Sequence, residues 1–137
     1  MARPASEHPT DGELEILRVL WEHESATLGD VCIALRRERQ VATTTVATML
    51  GVMLDKELVR RKKAPRGHQW SAAVTHAAAA KSLVGKLVNN VFDGSASRLV
   101  SHLVEGGKLS HAELAELHTL IKSQTEKVSR KGAKAQT

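Results

Sequence analysis

The chain has no tyrosine, one phenylalanine and two tryptophans, so aromatic residues make up 2% of its 137 positions. Stacking on splayed-out bases, the usual device of single-strand and RNA binders, therefore has little to work with. A single cysteine, Cys32, excludes an intrachain disulfide. No apolar run is long enough for a signal peptide core or a membrane span, so the cytoplasm is the expected location and no membrane partner is expected. The seven histidines (His8, His23, His68, His76, His102, His111, His118) follow no catalytic or ligand spacing, so no enzyme activity, metal or cofactor is expected. His111 and His118 fall seven apart on one expected helix, but lone surface histidines are far commoner than ligands.

What is present is a 42% hydrophobic content that supports a packed core, and a basic balance: net charge +5 and a pI near 9.7. The charge is local. Between Lys56 and Gly67, six cations (Lys56, Arg60, Arg61, Lys62, Lys63, Arg66) stand against Glu57 alone, and this net +5 equals that of the whole chain. A cationic stretch by itself is most often a solvated surface, because charge alone says little about partners. Its neighbour changes that reading.

From Val41 to Asp55, Val46, Met49, Leu50, Met53 and Leu54 recur at helical spacing and form one apolar stripe. The opposite side carries Thr44, Thr48, Gly51 and Asp55, flanked by Thr45 and Val52. A face this slim fits a major groove about 12 Å wide, and each threonine offers a hydroxyl and a methyl to base edges. Behind it, Leu58–Ala64 and His68–Ala73 can pair as strands around a Pro65-Arg66-Gly67 turn. The spacing thus predicts a recognition helix followed by a basic hairpin, with duplex DNA as the partner. Thr44, Thr45 and Thr48 are expected to read bases. Thr43, Lys56, Arg60, Arg61, Lys62, Lys63 and Arg66 are expected at the backbone.

Met1–Pro9 has two prolines and no periodicity and reads as a loose arm. Thr10 with Glu13 forms a capping box that opens a helix to about Glu22, with Leu14, Leu17 and Trp21 on one row and Ile16 and Leu20 on the next. A second helix follows Thr27, with Leu28, Val31, Cys32 and Leu35 inward, so Cys32 reads as a core residue. Beyond the hairpin, one helix runs from Thr75 to Phe92 and is closed by Asp93-Gly94. Another spans Ser95–Glu105, and a third opens on a Ser110/Glu113 capping box. After it, the basic stretch 125–137 reads as disordered. These three helices are too small to bury their own apolar faces, and a second copy is the economical cover. Leu83, Leu87, Val91, Phe92, Leu99, Leu103, Leu117, Leu120 and Ile121 are the expected dimer interface.

Helix, helix, slim helix and basic hairpin in that order make a winged helix-turn-helix. The expected fold is mainly α with a small β-hairpin wing: an arm (1–9), a winged helix-turn-helix (10–74), a three-helix dimerisation region (75–124) and a tail (125–137). Three blocks, TDGELEILRVLW, VATTTVATMLGVMLDKELV and VFDGSASRLVSHLVEGGKLSHAELAELHTLI, resemble the penicillinase-repressor (BlaI/MecI/CopY-type) family of bacterial transcriptional repressors. The likeness covers about Thr10 to Lys122. It implies a homodimeric repressor on a palindromic operator, with Thr44, Thr45 and Thr48 where the family's helix meets bases and the hairpin where its wing meets the backbone. Members often have a basic residue in place of Val52 and a helix-ending glycine in place of Glu57. The Asn-Phe bond that a protease cuts in antibiotic-sensing members is absent, and any inactivating protease is unidentified. The cysteine-rich tail of copper-responsive members is absent too, which excludes copper sensing of that type. The competing reading is a protein-interaction adaptor whose basic hairpin meets an acidic partner, and to which the threonines would not matter; a third is a repressor with an effector pocket between helices.

Overall fold

The computed structural model describes residues 8–135. Its elements are α1 (Asp11–Glu22), α2 (Leu28–Arg36), α3 (Thr43–Asp55), β1 (Val59–Ala64), β2 (Gly67–Ala72), α4 (His76–Val91), α5 (Ala96–Glu105) and α6 (His111–Ala135). The expected Thr10/Glu13 capping box forms, a second one that was not expected forms at Thr27/Asp30, and the two fix where α1 and α2 begin. Thr10 Oγ1 accepts from the Glu13 N–H at 3.2 Å, and Glu13 Oε1 accepts from the Thr10 N–H at 2.9 Å. Thr27 and Asp30 repeat the exchange at 3.1 Å each way and start α2. The apolar faces of α1, α2 and α3 close on one core, in which Ile16, Leu17, Val31, Val46, Leu50 and Met53 lose all contact with solvent. Cys32 lies inside it, as expected.

The hairpin joins this core through Leu58, Val59 and Trp70. β1 and β2 pair antiparallel with Val59 opposite Ala72, Arg61 opposite Trp70 and Ala64 opposite Gly67. The loop therefore narrows to Pro65-Arg66, and Gly67 turns the chain back at φ +93°, a left-handed conformation that glycine adopts without strain. Ala26 and Trp70 exchange both backbone hydrogen bonds, at 2.9 and 2.7 Å, so the α1–α2 loop lies along β2 as a one-residue third strand.

The chain divides into two compact units, Met1–Leu87 and Val88–Thr137. The division falls inside α4 rather than at the expected border after Val74. Trp21 explains the shift: its indole Nε1–H donates to the Val74 carbonyl at 2.9 Å, and its ring meets the His76 ring edge-on at 5.0 Å. Ala79 is buried beyond it and Leu83 is half-buried. The first half of α4 thus belongs to the N-terminal unit. Pro9, expected in the loose arm, is buried; residues 1–7 of that arm lie outside the described residues.

In the second unit, Ser95 caps α5 and the Ser110/Glu113 box opens α6, with both of its bonds at 3.1 Å. The expected disorder from residue 125 is corrected: α6 continues to Ala135, and residues 136–137 lie outside the described residues. No proline interrupts it, Lys, Arg, Glu, Gln and Ala all favour helix, and the Thr119 and Thr125 hydroxyls are satisfied by carbonyls one turn back. Among the described residues of this unit, none is buried.

Candidate nucleic-acid interface

On α3, the burial of Val46, Leu50 and Met53 decides what faces outward. Thr44, Thr45, Thr48 and Val52 are all exposed, with Ala47 between them, and a Cβ built on Gly51 would meet nothing within 4 Å. The structure thus brings the three expected base-reading threonines onto one open, slender surface. Unlike α1 and α2, α3 starts at Ala42 without a side-chain cap, so among the described residues no side chain accepts from the N–H groups of its first turn. Instead of an acidic cap, a cation sits there. The Arg36 guanidinium donates to Thr43 Oγ1 at 2.6 Å and to the Val41 carbonyl at 3.1 Å. Arg36, the last residue of α2, is not among the residues expected at the DNA. Its spacing of seven residues from Thr43, across a short turn, was the available signal.

The five cations of the hairpin proper, Arg60, Arg61, Lys62, Lys63 and Arg66, are all exposed. Among the described residues, no carboxylate forms a salt bridge with any of them. The pleat divides them. Arg61 and Lys63 share the face of buried Val59 and Trp70, and the Arg61 guanidinium lies 5.9 Å from the Trp70 ring centroid. Arg60 and Lys62 point to the other face with Ser71 and Gln69.

Lys56 departs from its expected place at the DNA backbone. Its Nζ lies 2.9 and 3.1 Å from the two carboxylate oxygens of Glu13, and only 21% of its side chain is exposed. Burial pushes the Glu13 carboxyl up, but the Thr10 N–H and the Lys56 ammonium outweigh it and hold that carboxyl below its ordinary value. A lysine neutralised in this way ties the end of α3 to the start of α1 and is not available to a phosphate. The exit from α3 also follows a special path. Glu57 has φ +63°, the Leu58 N–H donates to Met53 O at 2.9 Å, and the Glu57 N–H donates to Leu54 O at 3.0 Å. These are the two bonds of a Schellman motif, whose left-handed position is usually glycine.

Residues 9–123 match the penicillinase-repressor family. The chain belongs to that family. It is therefore a DNA-binding transcriptional repressor rather than an enzyme. The penicillinase repressor of Bacillus licheniformis is 23% identical over 112 residues, 82% of this chain and 88% of that one. An uncharacterized 16.5 kDa protein of Latilactobacillus sakei is 20% identical over 112 residues, 82% of this chain and 77% of its own. Among solved structures, monomeric B. licheniformis BlaI in complex with the blaP half-operator is similar at TM-score 0.46 and 23% identity, covering 57% of this chain and 93% of that one. In this penicillinase-repressor family member, the matched stretch ends at residue 123, so the last twelve residues of α6 lie beyond it.

Proposed function

We propose that this repressor binds a palindromic operator as a homodimer in the cytoplasm. Each copy lays α3 in the major groove, reads base edges with Thr44, Thr45 and Thr48, and holds the backbone with Thr43, Arg60, Arg61, Lys62, Lys63 and Arg66. The observation that carries this reading is the pairing, on one folded unit, of an open threonine face with five exposed cations that no carboxylate among the described residues neutralises. An acidic protein partner would use the cations but would have no use for the threonines. The uncapped first turn of α3 fits the same reading, since unfilled N–H groups favour a phosphate oxygen.

The dimer is supported by the second unit, where Val91, Leu103, Leu120 and Ile121 are all exposed and no described residue is buried. Leu87, Phe92, Leu99 and Leu117 belong to the same proposed interface, whereas Leu83 sits against the N-terminal unit. A twofold pair would set two α3 helices on half-sites about 10 bp apart or a multiple of that. The second contact then becomes intramolecular and raises avidity by roughly 10²–10⁴. Sequencing the genomic fragments that the purified protein retains would supply the operator. Thr48→Ala should then weaken operator binding by about 1–3 kcal/mol and leave random duplex nearly unchanged. Equal losses on both duplexes would refute base reading.

A further inference from the structure

The segment of α6 beyond the family match does not end the apolar pattern of the helix but extends it. Leu114, Leu117, Ile121, Gln124 and Val128 are spaced three, four, three and four apart, which is the heptad seam of a two-stranded coil with one polar member. Ile121 is 53% and Val128 67% exposed, and among the described residues of its own unit α6 has no substantial packing partner. Charge is divided along the same helix. His111–Ile121 carries Glu113 and Glu116 and no lysine or arginine, while Lys122–Lys131 carries Lys122, Lys127, Arg130 and Lys131 against Glu126.

From this we infer that α6 pairs with α6 of a second copy in the antiparallel sense, and that the segment beyond residue 123 completes the seam. This rests on the proposed homodimer and gives it an orientation. A parallel pair would set the basic half of one helix beside the basic half of the other, a like-charge juxtaposition along about 15 Å of helix. The antiparallel pair sets each basic half against the acidic half of its partner and buries both Val128 side chains against apolar residues of the N-terminal half.

The test uses the full chain in a Cys32→Ala background, with Leu114→Cys in one preparation and Val128→Cys in another. Mixed, equilibrated and oxidised, the two should form the mixed disulfide in preference to either self-pair. A dominant self-disulfide of the Val128→Cys chain would mean a parallel pair and overturn the inference. A dimer that forms no cross-link would also overturn it while leaving the homodimer intact, whereas a monomeric parent would remove both. With native Cys32 retained, Val128→Lys should raise the dimer dissociation constant about tenfold or more. Ending the chain after Ser123 should do the same, with half-site affinity unchanged. If that shortened chain dimerises as tightly as the parent but binds random duplex less tightly, the basic half meets DNA instead and the inference fails.

Discussion

Replacing Glu57 with glycine should make the protein more stable, and the amount follows from one backbone angle. Glu57 sits at φ +63° because the Schellman exit from α3 requires it, with Leu58 and Met53 buried on either side of the turn. A side chain with a Cβ held in that region costs about 1–2 kcal/mol. Glycine escapes this cost but loses about 0.4–1 kcal/mol by loosening the unfolded chain. The net gain is about 0.5–1 kcal/mol, or a rise of roughly 2–6 °C in Tm for a unit of this size. Glutamate also places a negative charge near a helix C-terminus, which is unfavourable by about 0.3–1 kcal/mol. Glu57→Ala removes the charge and keeps the Cβ, so the excess of Glu57→Gly over Glu57→Ala isolates the backbone effect. Urea midpoints of the parent and both variants give the measurement. A Glu57→Gly chain no more stable than Glu57→Ala would refute the assignment of strain to this residue.

Lys62→Ala should weaken operator and random duplex alike and lower the slope of log K against log salt by about one unit, and an unchanged slope would mean that Lys62 does not touch phosphate. Lys56→Met should destabilise the chain by about 2 kcal/mol, because it leaves a carboxylate that is only 5% exposed without its charged partner. The Glu13 carboxyl is held below its ordinary value of 4.5, so the stability it contributes is full above about that pH and is lost as pH falls through the lowered folded value. Urea midpoints at neutral and acid pH should therefore fall less for Glu13→Gln than for the parent. A chain ending at Leu87 should fold and bind a half-site but gain nothing from the second half of a palindrome. One ending at Val74 should be less stable, because it loses the packing of His76, Ala79 and Leu83 near Trp21.

The N-terminal elements were legible because each was written in a local signal. Capping boxes marked the starts of α1 and α6, Thr27 and an apolar periodicity marked α2, and a periodic stripe gave the inner face of α3. The threonine surface was legible for the same reason, since fixing the inward face of a helix fixes the outward one. What was hidden depended on residues far apart in the chain. Nothing in the sequence marks Ala26 as a strand partner of Trp70, 44 positions later, or pairs Lys56 with Glu13 across 43. The border inside α4 was hidden similarly, because it depends on Trp21 reaching Val74. Charge misled in two places. Lys56 resembles the hairpin cations in sign alone, and the stretch after residue 125 is basic enough to suggest disorder although its residues favour helix.

α3 departs from local preference at both ends, and the two departures should respond oppositely to repair. At the start, Thr43, Thr44, Thr45 and Thr48 occupy a helix that alanine would favour, and Ala42 supplies no cap. At the end, Glu57 occupies a glycine conformation. The helix persists because Val46, Leu50 and Met53 are fully buried, and such burial outweighs propensity. A departure kept for function should weaken binding when repaired, and one that touches nothing functional should not. Thr48→Ala should accordingly raise stability by about 0.5 kcal/mol while it lowers operator affinity, because an exposed mid-helix threonine contributes nothing to the core. Glu57→Gly should raise stability and leave operator affinity unchanged. Denaturation and operator titration on the same two proteins measure both responses. If Thr48→Ala kept full operator affinity while gaining stability, the threonine face would have no part in reading DNA.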